Sequence, residues 1–249
     1  MMFNEHFSLQ SEAYARYRPQ YPKSLFRNLF SKVVDNKCAW DCGTGTGQVA
    51  LRLVEHFDQV IASDVSNEQI KRAKRHEKII YRVFPAEQTC FHDSSIDLVT
   101  VAQALHWFNI NGFYKEVRRI LKKEGVISVW TYKVPRINKN IDKILDFFCK
   151  DIVGDYWPPE YLFVDEGYKS IPFPFEKVNI PPIKMISHWS FSHLIGFISS
   201  WSAVQLYKNK IGKDPIRIII KDLSLLWNDK GVKHEINWPL KVLVGRNVK

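Results

Sequence analysis

Apolar positions in the first half of the chain switch repeatedly between two periods. Leu25, Phe26, Leu29, Phe30 and Val33 recur at helical spacing, so an amphipathic helix follows Pro22. Cys38-Ala39-Trp40 leads as a strand into the glycine-rich turn DCGTGTG, and Gln48–His56 continues as a helix. Gln59–Ser63 is a second strand that ends at Asp64, and Ser66 with Gln69 forms a capping box opening the next helix. Ile79–Phe84 reads as a third strand. Ile96–Ala102 is a fourth, almost wholly apolar, as a strand buried on both faces should be. Phe113, Val117, Ile120 and Leu121 mark a helix closed by Gly125, and Val126–Tyr132 is a fifth strand. Such alternation predicts an α/β fold with a parallel, doubly wound sheet.

The second half changes character. Residues 154–182 are rich in proline and aromatics (DYWPPEY, IPFPFEK, IPPIK), a composition of loops and a short strand. Phe191, Leu194, Ile195, Ile198 and Trp201 are spaced for one helix. Asp214 and Pro215 cap and start another, carrying Ile216, Ile219, Ile220, Leu223 and Leu226. Pro239–Gly245 is a closing strand, so a helical cap is inserted before the last strand.

Composition narrows the setting. A chain of 249 residues, 45% hydrophobic and 25% charged, fits one large α/β domain. Cys38, Cys42, Cys90 and Cys149 have neither the density of a disulfide framework nor metal-ligand spacing, and read as free thiols in a reducing compartment. The start, MMFNEHFSLQSEAYARYRP, is too polar for a signal peptide, and no apolar run approaches the ~20 residues that cross a bilayer. The expectation is a cytoplasmic protein with no membrane partner. A net charge of +10 raises nucleic acid as a partner, but the basic clusters Lys71–Arg75 and Arg118–Lys123 are short and fall on predicted helices. A solvated helix face accounts for each, so nucleic acid is not the expected partner.

The chemistry concentrates at Asp41-Cys42-Gly43-Thr44-Gly45-Thr46-Gly47, where the first strand meets the first helix. Glycine there lets the backbone adopt positive φ and approach a ligand closely. A dinucleotide fingerprint would need Gly or Ala at the position of Gln48, and a pyrophosphate would be repelled by Asp41. These two residues weigh against an NAD-dependent oxidoreductase. An acid before the turn suits a ligand with a cationic amino-acid end, such as S-adenosyl-L-methionine with its ammonium and sulfonium. Asp64 fits an acid bonded to ribose hydroxyls in either kind of site.

These residues resemble motif I and the following acid of the class I S-adenosylmethionine-dependent methyltransferases. PAE at Pro85–Glu87, SIDLVTVAQALHWF at Ser95–Phe108, and the later YWPPE, PFPFE, SWSAVQLY and INWPLKVLVGR resemble the type 11 branch that includes trans-aconitate methyltransferase-like proteins. The resemblance implies a Rossmann-like, seven-stranded, mostly parallel sheet in one domain over 1–249: a cofactor core (1–135), a substrate cap with a late strand (136–235) and a closing strand (236–249). It also implies that Asp41, Gly43, Gly45 and Gly47 line the methionine end, that Gln48 is among the cofactor-binding residues and that Asp64 takes the ribose. Ala86 and Glu87 would flank the adenine, with Pro85 where many relatives carry Asp. Gln103 would lie near the transferred methyl. YARYRPQY, with Tyr14, Arg16, Arg18 and Tyr21, resembles a segment that folds over the cofactor.

Methyl transfer from a sulfonium is an in-line displacement, so the protein mainly aligns the acceptor and excludes water. A carboxylate acceptor, with a pKa of about 4, needs no base at pH 7. A phenol or alcohol would profit from one, and His106 is the candidate; the alternative is a histidine that merely holds its loop. Trp107, Trp157 and Trp201 either wall the acceptor or pack in the core. Arg16, Arg18 and Arg136 are bidentate partners for a carboxylate. Ala102-Gln103-Ala104-Leu105 stands where enzymes that methylate base amino groups often carry an Asn/Asp-Pro-Pro-aromatic tetrad. The expectation is O-methylation of a small-molecule carboxylate. Methylation of a phenol or alcohol with His106 as base ranks next, and an RNA methyltransferase, an oxidoreductase or a silent scaffold rank below.

Overall fold

The computed structural model describes residues 17–248. Lys23–Phe30 forms α1, which buries Leu25, Phe26 and Leu29. Five parallel strands follow: β1 (Cys38–Cys42), β2 (Gln59–Asp64), β3 (Ile79–Val83), β4 (Ile96–Ala102) and β5 (Leu121–Tyr132). Late in the chain come β6 (Glu176–Lys177), β7 (Met185–Trp189), β8 (His234–Trp238) and β9 (Leu240–Arg246). The main sheet has seven strands in the order β3-β2-β1-β4-β5-β9-β6, with β9 antiparallel to β5. The fold is the expected Rossmann-like α/β architecture. The order in which successive strands are added reverses between β1 and β4, and at such a switch point the strand ends leave a crevice open to a ligand.

Two boundaries differ from the sequence reading for local reasons. The helix expected over Gln48–His56 is reduced to α2 (Ala50–Leu53): Gly47 at φ +84° holds the chain out of helical space just before it, and Glu55 N and His56 N turn back to Arg52 O and Leu53 O in tighter three-residue steps after it. Asp41 supplies the missing cap, accepting from the Ala50 N–H at 3.1 Å. The helix expected to run to Gly125 is α4 (Ile110–Ile120), and Leu121 already pairs with Ile96. Glu124 at φ +63° and a register shift then carry the strand into its regular pairing of Val126 with Leu98. The capping box forms as expected, with Ser66 accepting from Gln69 N at the start of α3 (Asn67–Arg72).

The cap holds more structure than its sequence pattern showed. It contains α5 (Lys139–Phe147), α6 (Tyr161–Asp165), α7 (Phe191–Ser199), α8 (Ser202–Ile211) and α9 (Ile216–Trp227). The single helix expected through Trp201 breaks, because Trp201 takes an extended conformation (ψ 137°) and serves as the N-cap of α8. β7 and β8 pair in a separate antiparallel ribbon whose Met185, Trp189, Ile236 and Trp238 join the core. No helix among the described residues is long and apolar enough to cross a membrane.

Candidate active site

The turn after β1 is built from backbone. Gly43 sits at φ +68°, and a Cβ there would lie 2.6 Å from Ala104 Cβ. At Gly47 a Cβ would collide with the Tyr81 hydroxyl, whereas at Gly45 it would meet open space. Beneath the turn Asp41, 1% exposed, accepts from the hydroxyls of Thr44 and Thr100 as well as from Ala50 N. Burial pushes its pKa up to about 6 despite these three donors. Asp41 therefore lines the cavity as a braced floor, and three donors already engage its oxygens.

The turn opens on a cavity of about 420 Å³, within the range of small-molecule sites. Asp64, at the tip of β2, accepts from Gly45 N and Ser66 N at 2.9 Å each, and burial raises its pKa. A bidentate carboxylate so oriented keeps lone pairs for a ribose diol. Phe84, Ala86 and Phe108 supply an apolar wall. Two acids beside an apolar slot suit a nucleoside with a cationic tail, so the residues present fit S-adenosylmethionine.

Several expected contacts are redirected. Glu87 is not in the cavity lining; its Oε1 accepts from Asn109 N at 2.8 Å and so fixes the loop that caps α4. Gln48 lines the cavity, but its amide donates to Pro19 O at 2.9 Å, tying down the arriving N-terminal segment. Arg18 lines the cavity, donates to the Tyr132 hydroxyl at 3.2 Å and stands over the Phe197 ring. Tyr14 and Arg16 lie outside the described residues. Gln103 does stand at the tip of β4, in the left-handed region at φ +56°. Its amide copies a backbone rung, donating to Tyr132 O and accepting from Tyr132 N at 3.1 Å each.

A second cavity of about 140 Å³ adjoins the first and shares Arg18, Gln103, Trp107 and Tyr132 with it. His106, Trp157 and Trp201 line this side together with Lys133. Trp157 stacks on Tyr161 at 3.7 Å and donates its indole N–H to Cys149 O. Trp201 is 4% exposed and packs 5.6 Å from Trp157, so it serves core and cavity at once. His106 Nδ1 lies 3.0 Å from the Tyr168 hydroxyl, and burial lowers its pKa to about 3. Arg136 is corrected: its guanidinium pairs with Asp146 at 2.8 Å and does not line the cavity. Lys133 lines the cavity, beside Arg18. Its signal in the sequence was its position, one residue past the end of β5, where open α/β sheets bind ligands.

The comparisons with known proteins agree with this geometry. The family model described as a methyltransferase domain matches residues 40–129. A protein of Dictyostelium discoideum named as a methyltransferase is 33% identical over 221 residues, which span 85% of this chain and 82% of that protein. A Saccharomyces cerevisiae protein named as an S-adenosylmethionine-dependent methyltransferase is 30% identical over 163 residues, 60% of this chain and 56% of its own. The solved structure of a type II methyltransferase from Anaeromyxobacter dehalogenans superposes with a TM-score of 0.86 at 34% identity, covering 93% of this chain and 99% of that one. Sheet order, glycine turn and similarity over most of the chain converge: the chain belongs to the class I S-adenosylmethionine-dependent methyltransferases.

Proposed function

We propose that the protein methylates the carboxylate of a small molecule. The observation that carries this reading is the charge of the acceptor cavity: Arg18 and Lys133 line it, and no Asp or Glu does among the described residues. A narrow, cation-lined space walled by Trp157 and Trp201 selects a compact anion with an apolar body. The bound S-adenosylmethionine supplies a methyl already activated on sulfur. The chain's own residues then align the acceptor. Asp64 and the 43–47 turn fix one end of the line of attack, and the two cations fix the carboxylate at the other. The aromatic walls keep water out. Esterification removes the acceptor's charge, so the product loses its attraction to Arg18 and Lys133 and leaves.

His106 argues against the phenol or alcohol reading. A base whose conjugate acid has a pKa of about 3 is far too weak to deprotonate a phenol of pKa about 10. The test is a panel of carboxylic acids, each paired with its amide and with a phenol of similar shape, incubated with labelled S-adenosylmethionine. Turnover of acids alone is expected. Turnover of phenols, with a rate that climbs through neutral pH, would overturn the reading.

A further inference from the structure

His106 meets Tyr168 at the wall of the acceptor cavity, and the count of protons between them fixes what His106 offers an acceptor. Tyr168 is 1% exposed and sits at φ +61°, directly after Gly167 at +68°. A bulky residue keeps a left-handed conformation only where its surroundings impose it. Among the described residues five non-glycine positions have positive φ. Two of them, Gln103 and Tyr168, belong to the same buried network behind the cavity.

The Tyr168 hydroxyl is kept protonated by burial; the Thr131 hydroxyl and the backbone N–H groups of His106 and Leu105 pull the other way. A phenolic oxygen has two lone pairs and one proton to give. The hydroxyl is buried and hydrogen-bonds His106 Nδ1 at 3.0 Å; a buried O–H that does not donate is left unsatisfied, so His106 Nδ1 receives the proton. The Thr131 hydroxyl proton is committed elsewhere. Gln103 Oε1 is fixed as an acceptor by Tyr132 N, and the Thr131 hydroxyl donates to that same oxygen. With Nδ1 accepting, the single proton of the neutral imidazole resides on Nε2, the ring nitrogen left for the cavity that His106 lines.

We infer that Tyr168 is a positioning residue that holds His106 as the Nε2–H tautomer, and that this N–H donates to one carboxylate oxygen of the acceptor while the other oxygen attacks the methyl. The inference rests on the carboxylate reading for the identity of the acceptor, but the tautomer does not depend on it. It makes His106 a donor where the sequence suggested a base. A hydroxyl acceptor would meet a fixed N–H instead of a lone pair, so the pair also discriminates against alcohols.

The test is ¹⁵N NMR of histidine-labelled full-length protein, with His106 assigned by its loss in H106Q. The expected spectrum has a pyridine-like Nδ1 and a pyrrole-like Nε2, and in Y168F the two shifts move toward a tautomer mixture. A pyrrole-like Nδ1 in the wild type would overturn the inference, because Tyr168 would then be accepting from His106. Should Y168F fail to fold, the wild-type spectrum alone decides. With a carboxylic acid that the protein methylates, H106Q retains an N–H at a similar reach and raises KM about threefold, while H106A raises it about thirtyfold. Equal losses in the two variants would also count against the donor role. An Nε2–H ring in a protein that methylates no carboxylate would retire the acceptor class and leave the tautomer assignment standing.

Discussion

The two cavities share a wall yet are made of different material. The cofactor side is backbone: strand tips, three glycines with positive φ, and acids that brace the turn from below or beside it. The side proposed for the acceptor is side chain, with tryptophans and tyrosines carried by the cap and cations at its edge. Their charges differ too: Asp41 and Asp64 line the first, Lys133 lines the second, and Arg18 stands on the wall they share. A cation bound on the first side and an anion on the second meet with their charges already complementary. The backbone half serves any acceptor that a methyl donor can reach, whereas the side-chain half must choose one.

The largest effect should come from breaking the backbone half. In Gly43→Ala the left-handed strain alone costs about 1–2 kcal/mol, and the new methyl must displace Ala104. S-adenosylmethionine Kd by calorimetry should rise about a hundredfold, and Gly45→Ala, equally strained but facing open space, should lose about tenfold less. Asp64→Ala removes charge-assisted bonds worth about 1.5–3 kcal/mol and should raise Kd at least tenfold while leaving acceptor KM alone. Lys133→Met is the mirror experiment: roughly a tenfold rise in carboxylate KM, with cofactor Kd unmoved. Loss of cofactor binding in Lys133→Met would show that the division between the cavities is false.

Asp41 sharpens the comparison through pH. Burial raises its pKa from 3.8 to about 6 in the folded protein. The folded state therefore holds a proton that the unfolded chain releases near pH 4, and Asp41's contribution weakens folding as pH rises through that interval. Above it the carboxylate is ionised and attracts the cationic cofactor, so Kd should weaken a few-fold as pH falls through about 6. Asp41→Asn should flatten that profile, and an unchanged profile would show that the buried charge is not felt by the ligand. Glu87→Gln should have the smallest effect, with Kd within about twofold, since its carboxylate serves Asn109 N and loses only part of one bond.

What the sequence made legible follows from range. β1 to β4, the capping box and the glycine turn rest on local period and local sterics, and each was readable from a window of a few residues. β5 was readable too, except at its start, where pairing of Leu121 with Ile96 overrode helical spacing. The ribbon of β7 and β8 joins residues nearly fifty positions apart in the chain, so neither strand announces itself alone. Side-chain destinations were the least legible part. Glu87 and Gln48 stand near the expected ligand in the chain, but a loop amide and Pro19 O claim them. Arg136 was lost to Asp146, and Tyr168, 62 residues from His106, had no signal that could connect the two.

The most direct test of the central claim is the chemical lability of the transferred methyl. The protein is incubated with methyl-labelled S-adenosylmethionine and a small-molecule extract, and the product is treated with mild alkali. Methyl esters hydrolyse to volatile methanol, so the account predicts label that leaves as methanol, and less of it in Lys133→Met. Label that survives alkali, or that is recovered in tRNA or rRNA at physiological salt, would contradict it.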